Sequence, residues 1–382
     1  MTLGAILAGG ALALACGGDS SGPVTPRRLV ADAGDKQSGL TETQLTTPLR
    51  VRLTGSNGKA FAGAPVTWTV TAGDATLGAV ALVTDNTGLA SATVTLGVAP
   101  GSVAVRAEVA SVPPVTFTAT ACDYPPLTLG TPIAGALSTT DCRFSGYYTD
   151  FYSLDLTSGQ QEITISDSSN AFDTYVELYL FPRGFVGFND DIDPNVIPHS
   201  RLDAIVVPGN YLVAPSSFDT SVTGPYKVSV ATRALGLANC DLVWVMRGVV
   251  VSDSITTNDC GSVVLGYYDL VGIYAQGGSV LTITERSTAV DSRLRLLNSS
   301  GSQIAANDDS AAGNSNAFLV FPAPQTSVYY LQVGTAAATS GTTGAYTLEV
   351  SGSTTAAASE PLLPSPLRFV KPGPLPRSRR VR

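Results

Sequence analysis

Residues 172–191 read FDTYVELYLFPRGFVGFNDD, and residues 290–309 read VDSRLRLLNSSGSQIAANDD. Both stretches carry an aspartate in second position and end on Asn-Asp-Asp, and they lie 118 positions apart along the chain. Within them, apolar and polar residues alternate with the two-residue period of a half-buried β-strand. The pair therefore predicts two related β-structures in tandem, each with an acidic turn at a strand end.

Further anchors extend this similarity over the length of a domain. Tyr211 and the cysteines recur after 118 positions, whereas Gly146-Tyr147-Tyr148 recurs after 120 positions as Gly266-Tyr267-Tyr268. A recurrence of this length indicates tandem modules, which we place at residues 122–232 and 240–351. In the first copy the pattern predicts strands at residues 150–156, 161–166, 176–181, 201–207, 209–214 and 226–231.

The composition of the 382-residue chain favours β-structure throughout. Only 14% of its residues are charged, against about 25% in typical soluble domains, and 44% are apolar. Long amphipathic helices need charged residues on their exposed faces, whereas Val, Thr, Ser, Gly and Tyr suit half-buried strands and tight turns. We therefore predict an all-β chain.

A separate unit precedes the repeats, at residues 28–121. Its runs LRVRL (49–53), VTWTV (66–70) and ATVTL (92–96) alternate like strands, and turn residues separate them. Short strands at regular spacing with such turns predict a β-sandwich. Alternation places Trp68 in the core of this sandwich, and the alternative is an exposed binding residue.

Two stretches of this unit carry a family resemblance. PLRVRLTGSNGKAFAGAPVTWTV at residues 48–70 and TDNTGLASATVTLG at residues 84–97 resemble the bacterial Ig-like domain of the invasin and intimin family. The resemblance implies a rigid spacer or an adhesive module at the cell surface.

The repeats resemble another family, the bacterial pre-peptidase C-terminal domain. The match is carried by the Gly-Tyr-Tyr opening, the Asn-Asp-Asp turn, Phe172-Asp173-Thr174-Tyr175, Pro208-Gly209-Asn210-Tyr211 and Gly224-Pro225-Tyr226. The second copy departs from it, with Ala289-Val290-Asp291-Ser292 at the Phe-Asp element. The resemblance implies small jelly-roll-like sandwiches, a type appended to many secreted bacterial proteases. The predicted fold is thus three β-sandwich domains in series, one Ig-like and two jelly-roll-like, followed by a disordered basic tail.

The first residues predict export. Residues 3–15 form an apolar, small-residue run, which is too short for a bilayer span and fits a signal at residues 1–15. The run and Cys16 resemble a bacterial lipoprotein signal, which implies lipidation of Cys16 and a place in the outer membrane or at the cell surface. The alternative is an ordinary export signal with an incidental cysteine, and hence secretion. Residues 16–27 are predicted to be a flexible tether.

The other four cysteines form two pairs with the same spacing of 20 positions. Cys122 and Cys142 are the first pair, and Cys240 and Cys260 are the second. Neither pair has the close spacing of a zinc site. Two local disulfides in an oxidising compartment are the simpler prediction.

The last residues, 352–382, change in composition. They are rich in Ala, Ser and Pro and then basic, with six Lys or Arg residues against Glu360. Such a segment is predicted to be disordered. It could contact an anionic surface, and a solvated tail without a partner is at least as good an interpretation. No nucleic-acid partner is expected.

An acidic cluster in each repeat is the candidate metal site. Asn189, Asp190, Asp191 and Asp193 offer hard oxygen ligands of the kind that calcium takes, and Asp173 could join them from a neighbouring loop. The alternative, which we favour, is an Asx turn without metal. The counterparts in the second copy are Asn307, Asp308 and Asp309.

The sequence argues against catalysis. His199 is the one histidine of the chain, in a loop-like setting, so systems that need several imidazoles or a Ser-His pair are excluded. Adjacent aspartates in a turn are not the facing carboxylates of a glycosidase. We predict no enzyme and no cofactor other than the candidate calcium.

Two functional classes follow. The first is a lipid-anchored surface protein whose modules act as spacers and bind an extracellular protein or glycan. Tyr147, Tyr148, Tyr267 and Tyr268 are its candidate contacts, with cross-strand packing as the favoured alternative. The second class is an accessory or targeting protein for a separate secreted hydrolase.

Overall fold

The protein folds into β-strands throughout its described parts. The computed structural model describes residues 23–144, 146–181, 184–191, 199–233, 236–237, 240–262, 266–309, 314–336 and 342–352. These ranges contain no helix long and apolar enough to cross a membrane. The predicted all-β fold class is confirmed. Cys16 and residues 353–382 lie outside the described residues, as does Asp193.

The first unit is a sandwich of two four-stranded sheets. Residues with alternating burial, such as buried Val51 between half-exposed arginines, build its strands because one face of each sheet meets the core. The sheets have the strand orders β1-β3-β6-β5 and β2-β8-β7-β4. Their strands are β1 (Pro26–Ala33), β2 (Gln37–Leu40), β3 (Leu49–Gly55), β4 (Thr67–Ala72), β5 (Ala75–Gly78), β6 (Leu89–Leu96), β7 (Gly101–Glu108) and β8 (Val115–Cys122).

Trp68 belongs to the core of this sandwich, as alternation predicts. Its side chain stacks on Phe117 with ring centroids 5.9 Å apart, and its indole N–H donates to the carbonyl of Ala81 at 3.2 Å. Only 8% of the residue is exposed, so the exposed-binding alternative is wrong.

The described residues of the first repeat form ten strands. They are β9 (Ile133–Leu137), β10 (Cys142–Phe144), β11 (Tyr147–Thr149), β12 (Tyr152–Leu156), β13 (Gln161–Ser168), β14 (Thr174–Leu180), β15 (Gly184–Asn189), β16 (His199–Val206), β17 (Gly209–Ser217) and β18 (Gly224–Arg233). His199 opens β16 and pairs with Ser168, so the loop-like setting predicted for it is wrong. His199 belongs to a strand because β16 pairs with β13, and the residues next to His199 in the sequence do not reveal this pairing.

The second repeat follows the same plan. Its strands are β19 (Leu242–Val245), β20 (Val249–Ile255), β21 (Cys260–Ser262), β22 (Gly266–Ala275), β23 (Val280–Arg286), β24 (Ser292–Leu297), β25 (Gln303–Asn307), β26 (Ala317–Pro322), β27 (Ser327–Thr335) and β28 (Gly344–Ser351). The order β9-β18-β13-β16 of the first repeat recurs as β20-β28-β23-β26, and β17-β14-β15 recurs as β27-β24-β25. The internal repeat read from the sequence is therefore a repeat of topology.

One sheet runs through both repeats. The short strand β19 pairs in parallel with β16 of the first repeat and with β22 of the second. It thereby joins four strands of each repeat, together with β21, into a ten-stranded sheet. The core of the first repeat lies on one face of this sheet and the core of the second repeat on the other.

The side chains of β19 alternate between the core of the first repeat and the core of the second. Trp244 packs with the core of the first repeat, whereas Val243 and Val245 pack with the core of the second. Successive side chains of a strand point to opposite faces, so four residues can serve two domains.

Both predicted disulfides are present. Cys122 ends β8 and bonds to Cys142 at the start of β10, with 5.8 Å between the Cα atoms. This bridge joins the last strand of the Ig-like unit to the first repeat. Cys240 bonds to Cys260, with 4.5 Å between the Cα atoms, and holds the segment before β19 against β21.

Candidate functional site

The acidic turn of the first repeat has the geometry of an Asx turn. The side-chain oxygen of Asn189 accepts a hydrogen bond from the backbone N–H of Asp191 at 2.7 Å. The hydroxyl of Ser200 lies 3.0 Å from the carbonyl oxygen of Asp190 and 2.6 Å from that of Thr174. The turn and the start of β14, which follows Asp173, are therefore held together, as the sequence predicts.

The second repeat brings its acidic residues together as well. The side-chain oxygen of Asn307 accepts a hydrogen bond from the backbone N–H of Phe318 at 3.0 Å, and Asp308 and Asp309 are exposed beside it. Partial burial, followed by the negative charges of Asp309 and Asp308, raises the pKa of Asp291. The three carboxyl groups therefore share one region.

These turns do not form a ready-made metal site. Among the described residues, no group of three His, Cys, Asp or Glu side chains is placed so that it could hold a metal ion. The amide oxygens of Asn189 and Asn307 already accept backbone hydrogen bonds. Calcium at the turns therefore stays a prediction.

The structure contains a second acidic arrangement that the sequence did not suggest. In the first repeat, the hydroxyl of Tyr226 donates to the carboxylate of Asp150 at 2.6 Å and lies 2.7 Å from the hydroxyl of Tyr152. In the second repeat, the hydroxyl of Tyr346 donates to Asp269 at 2.7 Å. Burial raises the pKa of Asp150 to about 6 and raises that of Asp269 well above its usual range.

A cavity of about 410 Å³ lies beside the first of these pairs, between the Ig-like unit and the first repeat. Asp123, Asp141 and Asp150 line it together with Tyr152. Asp141 is held by Ser138, whose backbone N–H and hydroxyl donate to the two carboxylate oxygens at 2.6 and 2.7 Å. Each repeat places this serine or threonine and aspartate pair before its second cysteine, as Thr256 and Asp259 do in the second copy.

Each repeat also has an acid deeper in its core. Asp167 is 1% exposed, and Glu285, the residue 118 positions later, is fully buried. Burial raises the pKa of Asp167 well above its usual range and that of Glu285 to about 9. These acids favour the neutral form and have no access to a substrate. They couple folding to proton binding rather than provide an accessible acid and base.

Of the tyrosines in the Gly-Tyr-Tyr openings, Tyr148, Tyr267 and Tyr268 pack within the protein, whereas Tyr147 is half-exposed. Tyr267 is only 9% exposed, and Tyr268 packs against the core of the first repeat. The guanidinium of Arg143 lies 5.5 Å from the ring centre of Tyr148. Packing, the favoured alternative, describes these residues better than a free binding surface.

The packing role of Trp244 was also not predicted from the sequence. Its indole N–H donates to the carbonyl of Phe188 at 2.9 Å, and its ring meets those of Phe185, Phe188 and Tyr330. The available signal was the apolar run Leu242–Val245 directly after Cys240-Asp241, where the first copy has Pro125 and Pro126. Because the run is only four residues long, periodicity alone could not identify it as a strand.

Comparisons with known proteins agree with parts of this architecture. A family model described as "Bacterial pre-peptidase C-terminal domain" matches residues 267–335. No curated protein matches the chain. Among solved structures, the pre-peptidase C-terminal domain of a Bacillus anthracis collagenase is 19% identical, covers 28% of this chain and 95% of its own, and has a TM-score of 0.23.

Two further solved structures are similar in part. The D00-D0 domain of intimin is 29% identical, with a TM-score of 0.18 and coverage of 25% of this chain and 46% of its own. An Escherichia coli adhesin is 13% identical, with a TM-score of 0.23 and coverage of 82% of this chain and 91% of its own. The match to the bacterial pre-peptidase C-terminal domain lies in the second repeat, and the first repeat has the same strand order.

Proposed function

We propose that this is a non-catalytic, exported protein that is lipid-anchored through Cys16 and holds binding modules away from the cell surface. The observation that carries the proposal is the ten-stranded sheet, because a sheet shared by two domains keeps them in one fixed arrangement. The disulfide between Cys122 and Cys142 ties the Ig-like unit to this pair. Disulfides of this kind are typical of exported proteins. Such an array suits a spacer that presents a binding surface for protein or glycan.

Anchoring is tested by labelling the producing cells with a fatty-acid analogue. We expect label on the wild-type protein and none on Cys16→Ser, with Ser21→Ala as a control that keeps the label. Protease treatment of intact cells then reports surface exposure. An unlabelled wild-type protein would leave secretion as the interpretation and would contradict the anchor.

Binding is tested with the exported chain on immobilised cell-wall polysaccharide and on collagen-like protein, and by pull-down from the producer's own secretome. Retention on a polymer or on the collagen-like protein supports the spacer and adhesion function. Co-purification with one secreted hydrolase supports the alternative, an accessory or targeting protein. The match of residues 267–335 to a domain named for its association with peptidases favours keeping this alternative.

Calcium is tested by thermal melting with calcium and with a chelator. We compare the wild type with the double variants Asp190→Asn/Asp191→Asn and Asp308→Asn/Asp309→Asn. A calcium-dependent rise in the melting temperature that disappears in one variant assigns the ion to that turn. An unchanged wild-type transition removes calcium from the proposal.

A further inference from the structure

The outer edge of the second repeat is the counterpart of the edge at which the first repeat receives β19. β16 pairs with β13 on one side and with β19 on the other. Its counterpart β26 pairs with β23 and, within the described residues, has no strand on its other side. On this outer side the backbone N–H of Phe318 already bonds to Asn307, and the backbone groups of Val320 offer a template for one more strand.

The exposed face of β26 is apolar, unlike that of β16. Phe318 is 40% exposed and Val320 is 56% exposed. At the matching ladder positions, the first repeat has Arg201 and Asp203, which form an ion pair at 2.8 Å. A neighbouring strand with apolar side chains would cover the face of β26, whereas β16 satisfies its own outer face.

The same edge is acidic at one end. The hydrogen bond from the backbone of Phe318 to Asn307 places Asp308 and Asp309, the next residues in the chain, beside the start of β26. Both are exposed, and Asp291 lies close enough for their charges to raise its pKa. A basic partner is therefore favoured here.

The chain itself supplies a candidate strand after the second repeat. In the first repeat, residues 234–241 are enough to lead from the end of β18 to β19. The counterpart of β18 is β28, and residues 353–382 follow it. They contain the stretch LRFV at residues 367–370, which is apolar except for Arg368. Pro366 precedes it, and Lys371, Pro372 and a basic stretch follow it. The connecting residues 353–366 are longer than the connection in the first repeat, so their length suffices to reach the edge.

We propose that residues 367–370 of the tail dock along β26 as one added antiparallel strand, at the edge that corresponds to the one where β16 receives β19. Leu367 and Phe369, which share one face of an extended strand, cover Phe318 and Val320. In this direction Lys371 follows Phe369 past the start of β26, where Asp308 and Asp309 offer opposite charges. This proposal does not depend on the anchor or on the ligand of the protein.

The edge at β26 differs from the edge at β16 in two ways, and both differences suit a short strand with smaller side chains than those of β19. In the first repeat, Gly187 leaves room for the ring of Trp244, whereas the matching ladder position of the second repeat is Ala305. Pro322 ends β26 without an N–H to donate, so only a short strand can be added. The tail contains no tryptophan, and its four-residue stretch LRFV matches both restrictions.

Hydrogen exchange tests the docking directly. We compare the full chain with a chain that ends at Gly352, and we follow the amides of β26 with those of β16 as the internal reference. We expect exchange in β26 to be about tenfold faster in the shortened chain, with β16 unchanged. A synthetic peptide of residues 359–382 should restore protection, whereas a scrambled peptide of the same composition should not.

Matched variants locate the surface. Val320→Lys should speed exchange in β26 of the full chain to the rate of the shortened chain. Val250→Lys, at the opposite edge of the same sheet and 50% exposed, should have no effect. Asp308→Asn/Asp309→Asn should make peptide binding less sensitive to salt. A circular dichroism spectrum of each variant checks its folding.

Three results would overturn the proposal. Equal exchange of β26 in the full and shortened chains excludes the tail as its occupant. Protection that grows with protein concentration in the shortened chain assigns the edge to a second copy instead. Equal protection by the scrambled peptide reduces the interaction to non-specific charge attraction.

Discussion

Gly187 is the residue at which the first repeat makes room for its neighbour. A Cβ atom at this position would overlap the indole ring of Trp244. A Cβ atom at Gly272 would overlap the same ring. The two glycines lie on β15 and β22, in different repeats, and hold the ring between them. The close contact of the two repeats thus depends on the absence of two side chains.

Gly187→Ala should therefore destabilise the repeats, by about 1–3 kcal/mol, because overpacking forces the ring or the strand to move. Denaturant unfolding followed by fluorescence measures this. Ala305→Gly, the reverse change at the matching position of the second repeat, is the control and should cost less than about 1 kcal/mol. Equal effects of the two substitutions would contradict the role of Gly187.

The buried acids predict how stability depends on pH. Their pKa values are raised in the folded state, for Asp150 to about 6 and for Glu285 to about 9, from ordinary values of 3.8 and 4.5. The folded protein therefore binds more protons than the unfolded chain between these values. The extra proton binding adds to the free energy of unfolding. This contribution is complete below the ordinary pKa of each acid and is lost as the pH rises through the raised pKa of the folded state.

We expect the melting temperature of the repeats to fall between pH 5 and pH 9. Glu285→Gln, which keeps the shape and removes the charge, should reduce the fall between pH 7 and pH 9. Glu42→Gln, at an exposed position, should leave the profile of the wild type. A melting temperature that rises steadily with pH would contradict the assignment.

At the scale of the elements, β19 shows what local patterns can and cannot predict. The long strands of the repeats were predictable, for example β13, β16 and β17. Burial along β13 largely alternates, whereas β16 and β17 carry longer apolar runs and are buried on both faces along most of their length. β10 and β11 are three residues long and β19 is four, too short for a period to be read. β19 is a strand because two parallel partners from distant parts of the chain meet there.

The first repeat should not fold without this element. A fragment of residues 122–233 lacks Trp244, and loss of a buried tryptophan costs about 3–5 kcal/mol, a large part of the stability of a domain. We expect no cooperative melting of this fragment by circular dichroism. The fragment of residues 122–352 should melt cooperatively, and similar melting of the two fragments would show that β19 is dispensable.

At the scale of the whole molecule, the described residues form one Ig-like sandwich and one double sandwich. The ten-stranded sheet, together with the packing of Trp244 between aromatic rings of both repeats, makes the repeats a single unit. The Ig-like unit has a separate core. Its contact with the first repeat consists of Leu40, which is buried in the core of the first repeat, the disulfide and local bonds, such as that from the backbone N–H of Arg143 to the hydroxyl of Ser38 at 3.1 Å.

Calorimetry of the intact chain should therefore show two transitions rather than three. Trp244→Ala should lower the transition of the repeats and leave the other unchanged, whereas Trp68→Ala should lower only the transition of the Ig-like unit. We expect each substitution to lower the free energy of unfolding of its unit by about 3–5 kcal/mol, the cost of removing a large buried side chain. Separate melting of the two repeats in the wild type would contradict the single unit.

The sequence by itself determined the all-β class, the tandem repeat and the two disulfide pairs, because alternation and spacing are local or are copied along the chain. It also pointed to the acidic turns. Only the tertiary structure decided that the repeats share a sheet, that Asp150 and Asp269 each meet a tyrosine, and that β26 has a strand on one side only among the described residues. These features depend on strands that are far apart in sequence and meet only when the cores close.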